Sequence, residues 1–146
     1  MKKVKYATNI NASKQTVWEV LWGDATYPQW TSVFSQGSRA ETDWKEGSRV
    51  KFLSGTGDGM YSEIAKRTDN EFMSFRHIGM LKNGTEQPVD EETQKWSGST
   101  ENYTLKENGT GTELLVELDI TEDHEHYFNK TFPKALDKVK ELAEAA

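Results

Sequence analysis

Ser62, His77 and Glu101 are the residues of this chain whose types could do chemistry together. A hydroxyl, an imidazole and a carboxylate in contact can activate a nucleophile, as in hydrolases that use a Ser–His–acid triad. The same three groups set in an apolar surface can instead anchor and orient a ligand. They can also be a mutually satisfied cluster, because buried polar groups need partners. No Gly-x-Ser-x-Gly elbow surrounds Ser62, and a serine lying flat in a sheet does not project its oxygen into the open. The anchor and cluster readings therefore stand ahead of a catalytic one.

These residues meet only if the strands that carry them are in register. A two-residue turn at Asp69-Asn70 predicts the pairs Lys66 with Met73, Ile64 with Phe75 and Ser62 with His77. Matching apolar faces across the following excursion pairs Met73 with Leu105, Phe75 with Tyr103 and His77 with Glu101. A four-residue turn at 108–111 sets Leu105 against Leu114, Tyr103 against Val116 and Glu101 against Leu118. A five-residue turn at 55–59 sets Phe52 against Ser62. The expected inner-face row is Phe52, Ser62, His77, Glu101 and Leu118.

The rest of the chain supplies the frame. Residues 2–11 alternate as a half-buried strand, with Val4, Tyr6, Thr8 and Ile10 on one face. Ser13 reads as the N-cap of a helix carrying Val17, Val20 and Leu21. Tyr27-Pro28 breaks that helix, and Trp30, Val33 and Phe34 suggest a second short one. From about 37 to 121 the chain reads as a strand meander. The exception is the polar, acidic excursion 79–98, expected to be a mobile lid because long loops in compact domains are usually functional or mobile. At the end, Phe128, Phe132, Ala135, Leu136, Val139, Leu142 and Ala143 form a helical stripe. Pro133 is expected to kink that helix rather than start it, since the stripe reaches back to Phe128.

Composition narrows the classes. The 146 residues suffice for one domain, expected to span 1–146. Mean hydropathy is -0.83, but five Trp, five Tyr and six Phe argue for an aromatic core rather than disorder. Acidic residues outnumber basic ones 24 to 18, and no basic stripe marks a nucleic-acid surface. The absence of cysteine excludes disulfides and thiolate chemistry. Neither a signal peptide nor a stretch of transmembrane length is visible, so no membrane insertion and a cytoplasmic location are expected. The glycines from Gly55 to Gly59 join two strands and read as a hairpin turn, not a phosphate cradle. Asp119, Asp123, His124 and His126 read as a solvated helix start rather than a metal site. No cofactor is expected.

The motifs together resemble a known superfamily. They are Ile10-Asn-Ala-Ser13 with Val17-Trp18, Trp30, Gly47 with Val50 and Phe52, Tyr103-Thr-Leu105, Gly111-Thr112 and Pro133-Lys-Ala-Leu136. Their order and spacing resemble the START-like (SRPBCC, helix-grip) superfamily. The nearer likeness is to its bacterial branch related to the activator of the heat-shock chaperone ATPase, a stress-response setting. The resemblance implies an α+β fold: a seven-stranded antiparallel sheet wrapped on a long C-terminal helix, with two small helices after the first strand. It also implies a cavity between sheet and helix for an apolar or amphipathic ligand. The residues expected to line it are Trp30, Phe52, Ser62, Phe75 and His77. Trp96, Glu101, Tyr103, Phe128 and Phe132 complete the set. The leading expectation is non-catalytic binding of a small molecule. The alternatives are a chaperone-associated interaction module, or a cyclase, isomerase or hydrolase using His77 and Glu101.

Overall fold

Alternation of apolar and charged residues builds the first edge strand. In β1 (Lys2–Ile10), Val4 and Ile10 are buried while Lys3, Lys5 and Asn9 face water. The computed structural model describes residues 1–146. Ser13 caps α1 (Lys14–Trp22) by accepting a hydrogen bond from the Thr16 N–H at 3.2 Å. The helix stops at Gly23, whose N–H bonds the Glu19 carbonyl at 2.8 Å. A Cβ at Gly23 would lie 2.6 Å from that oxygen, so the tight stop requires glycine. Pro28 sits in the first turn of α2 (Tyr27–Thr31), where its missing N–H costs nothing. It opens the second helix rather than merely ending the first, and Val33 and Phe34 lie beyond that helix.

The sheet follows as β2 (Arg39–Glu41), β3 (Arg49–Leu53), β4 (Gly59–Thr68), β5 (Phe72–Lys82), β6 (Thr85–Glu86), β7 (Thr100–Asn108) and β8 (Gly111–Ile120). Every pairing is antiparallel, in the order β1-β8-β7-β5-β4-β3-β2. The seven-stranded expectation holds along this path, with the two-residue β6 added beside β5. A short helix, α3 (Glu91–Gln94), precedes β7, and a single 3-10 turn at Glu122–His124 leads into α4 (Glu125–Ala145).

The excursion 79–98 is therefore not a bare loop. Its first residues continue β5, Leu81 pairs with Glu86, and Asp90 caps α3 by accepting from the Thr93 N–H at 2.9 Å. The polar composition concealed a hairpin extension whose outer side faces water.

Register departs from the expectation in a regular way. Ile64 pairs with Phe75 and Ser62 with His77, as expected, but Lys66 pairs with Ser74 rather than Met73. The turn holds three residues between Thr68 and Phe72, with Asn70 at φ 64°. A bulge at Ala65 then absorbs the extra residue and restores the pairing beyond it. The pairs β3–β4 and β5–β7 are each displaced by two residues. Phe52 faces Met60 instead of Ser62, and Phe75 faces Glu101 instead of Tyr103. The β7–β8 pairs match the expectation.

Helix α4 packs on β1 and against α1 and α2. Phe132, Ala135, Leu136, Val139 and Ala143 are buried, Phe128 and Leu142 half-buried, and Thr131 joins the buried face. Burying each large apolar side chain is worth about 1.5–3 kcal/mol. Pro133 lies inside the continuous helix on its exposed side. The apolar stripe holds the helix together across the missing donor. No helix is long and apolar enough to cross a membrane.

Candidate functional site

Between the inner face of the sheet and the first half of α4 lies a cavity of about 510 Å³. The sheet contributes Phe52, Phe75, His77, Glu101 and Tyr103 to its wall. Trp30 comes from α2, Phe128 and Phe132 from α4, and Trp96 from the segment after α3. Of the expected lining residues, Ser62 alone is not on the wall. It is fully buried behind His77.

The aromatic side chains form one connected set. Trp22 meets Tyr103 edge-on at 5.0 Å between ring centroids, and Phe75 at 5.4 Å. Phe52 meets Phe75 at 5.1 Å, and Tyr27 meets Trp30 at 5.5 Å. Edge-to-face geometry is what ring quadrupoles favour. Trp30 belongs to the core and to the wall at once: it is 1% exposed and its Nε1–H donates to the Leu21 carbonyl at 3.1 Å. Trp18 is core only.

A connected polar chain runs into this wall, beside separate polar lining residues such as Arg39, Asp58 and His124. Ser62 Oγ lies 2.7 Å from His77 Nδ1, His77 Nε2 lies 3.1 Å from Glu101 Oε1, and the Tyr103 hydroxyl donates to Glu101 Oε2. An ionised carboxylate only accepts. One arrangement satisfies every atom with a neutral imidazole: Ser62 O–H donates to Nδ1, and Nε2–H donates to Glu101. Burial pushes the Tyr103 phenol well above its ordinary value of 10.0, and the Glu101 charge and hydrogen bond add to the shift. Burial, then Glu101, raises the Tyr27 phenol as well. Both phenols therefore stay protonated, and that of Tyr103 remains a donor to Glu101.

The chain is thus both a satisfied cluster and a feature of the cavity wall. Its geometry holds an anion rather than activating a hydroxyl. A triad needs its serine oxygen open to substrate, and the Ser62 oxygen is sealed inside the sheet.

Among the other candidates, Asp119 is tied down by Lys3 at 3.2 Å and by the Thr100 N–H and hydroxyl, each at 3.0 Å. His124 Nδ1 lies 2.7 Å from the Thr121 hydroxyl. No three His, Asp or Glu side chains converge in a way that could hold a metal ion. Reading the sequence missed Trp22, Tyr27 and Tyr127, which also line the cavity. Tyr27 and Trp30 are three apart, and that helical spacing could have placed both on one face. Tyr127 carried no such signal, because its neighbour Phe128 already accounted for the stripe.

No protein-family profile matches the sequence, and no curated protein matches it. Solved structures do match in shape. The Aha1 dimer from Colwellia psychrerythraea is 18% identical, with 99% of this chain and 97% of that one covered at a TM-score of 0.76. A protein from Mesorhizobium loti is 15% identical over 99% and 98% of the two chains, also at 0.76. The AHSA1-like protein from Aeromonas hydrophila is 14% identical over 99% and 93%, at 0.70. At such identities the likeness establishes architecture alone. With the sheet order and the packing of α4 described above, it shows that this chain has the START-like, helix-grip fold.

Proposed function

We propose that the protein binds a small apolar or amphipathic molecule in the cavity between sheet and α4, and performs no chemistry on it. The observation that carries this reading is the cavity itself. Its volume of about 510 Å³ falls within the roughly 300–1,000 Å³ of small-molecule sites. Set in its aromatic wall is a connected cluster of polar groups, His77, Glu101 and Tyr103, and convergent polar groups of this kind orient a ligand in a pocket. The test is fluorescence titration with phenylnaphthylamine, a neutral apolar fluorophore, beside native mass spectrometry of protein purified from its source. Saturable one-to-one binding, or a small molecule retained in the spectrum, supports the reading. A folded protein that shows neither sinks it.

A second reading, a chaperone-associated interaction module, is favoured by the likeness in fold to Aha1 of Colwellia psychrerythraea. It would replace the first if the protein bound a heat-shock chaperone while its cavity took no probe.

A further inference from the structure

Resting on that binding reading, we infer that the ligand carries a protonated amine, and that Glu101 is its counter-ion. The charge balance of the cavity leads there. Glu101 is held on the wall with its side chain 23% exposed, and the only basic side chain paired with it is His77, at 3.1 Å. The hydrogen-bond chain from Ser62 is fully satisfied with that imidazole neutral, which leaves the carboxylate charge uncompensated.

The other charged groups at the cavity do not supply the missing cation. Arg39 is turned to Glu41 at 3.3 Å, and Asp119, also on the lining, is an acid already paired at 3.2 Å with Lys3, which is not on the lining. His124, exposed at the rim, is engaged with Thr121 and lies 3.5 Å from Asp123. Asp58, also on the lining and exposed, adds a second negative group. An uncompensated carboxylate in an apolar wall is costly and favours a ligand that brings the opposite charge.

The carboxylate also has room for one. Its two oxygens accept one hydrogen bond each, from His77 and from Tyr103. An ionised carboxylate has about four acceptor sites, so further N–H donors from an ammonium can be accommodated. The rings of Tyr27, Trp30, Phe52 and Phe75 line the same cavity, and an aromatic face attracts a cation placed within about 6 Å of it. They also take the apolar body attached to it. An anionic head group would meet Glu101 and Asp58 instead, and a neutral one would leave the charge unpaired.

Three probes of nearly one shape test this by displacing phenylnaphthylamine: naphthylmethylamine, naphthylmethanol and naphthoate. The amine should displace it at roughly tenfold lower concentration than the alcohol, the scale of a charge-assisted hydrogen bond. Naphthoate should come last. In Glu101→Gln the advantage of amine over alcohol should fall to within about threefold. A variant that does not fold leaves the order in the native protein to decide. Equal displacement by amine and alcohol, or naphthoate first, overturns the amine while leaving the cavity reading in place. If neither the fluorophore nor any of the three probes binds, the binding reading and the inference fall together.

Discussion

Glu101 stands opposite Phe75 in the sheet, yet its Oε1 lies 3.1 Å from Nε2 of His77, two residues further along the neighbouring strand. The two side chains are diagonal neighbours on one face. Such positions are about 7–8 Å apart at the backbone and are bridged only by long side chains. Glutamate and histidine have the reach between them. A shorter carboxylate at position 101 would not keep both the His77 and the Tyr103 contacts.

The innermost link should matter to stability. Ser62 is 0% exposed and its hydroxyl is the sole partner of His77 Nδ1. Ser62→Ala leaves that nitrogen buried without a partner, which should cost about 1–3 kcal/mol. Urea denaturation would show a lowered midpoint at unchanged slope. A midpoint equal to that of the native protein would mean that water replaces the hydroxyl at no cost.

The two faces of α4 should differ sharply. Leu136 is 2% exposed, and Leu136→Ala should cost ~2–4 kcal/mol through lost burial and a cavity. Lys138 is on the outer side with only Glu141 beside it at 3.4 Å, and Lys138→Ala should cost under about 0.5 kcal/mol. Parallel denaturant melts compare them, and coincident curves would contradict this packing of the helix.

Pro133 is a native defect that substitution should repair. It lies on the exposed side of a continuous helix and cannot donate to the carbonyl of Asn129. Pro133→Ala should stabilise by about 1–3 kcal/mol, since proline is the poorest residue for a helix interior. Circular-dichroism melts would report it. A lower melting temperature would mean that the wall formed by Phe128 and Phe132 depends on the proline.

Alkaline pH should loosen the fold through its buried phenols. Tyr103 and Tyr27 both titrate above the ordinary value of 10.0, because burial and then Glu101 disfavour their ionised forms. Below pH 10 the phenols are protonated in folded and unfolded chains alike, so this contribution to stability is intact. Above it, the unfolded chain releases protons that the folded one retains, and stability falls with rising pH. The fall should be shallower in Tyr103→Phe. Denaturant midpoints across an alkaline pH series would show this, and identical slopes would rule out the contribution of Tyr103.

Hydrogen exchange should divide the segment before β7. Amides in Gly79–Leu81 lie in the β4–β5 ladder and should exchange slowly. Residues 88–92 have only the start of a four-residue helix to protect them and should exchange fast. Equal protection across both would remove the case for a mobile stretch within 79–98.

The sequence by itself determined which face each residue occupies. Alternation in β4, β5, β7 and β8 put Ile64, Phe75, Tyr103 and Val116 inward, and the stripe from Phe132 to Ala143 marked the buried side of α4. Side-chain direction in a strand has period two, so a slip of two residues leaves every face unchanged. That is why His77 and Glu101 were placed together although the β5–β7 pairing was two residues out. Only the tertiary structure decided the register itself, the bulge at Ala65 and the burial of Ser62 away from the cavity. Each depends on how far strands slide before their side chains lock into the shared core. That balance of packing is set between segments distant in the chain and leaves no mark on local spacing. The cavity follows the same rule: its walls were legible as aromatic residues, but the space between them exists only because sheet and helix fail to close on it.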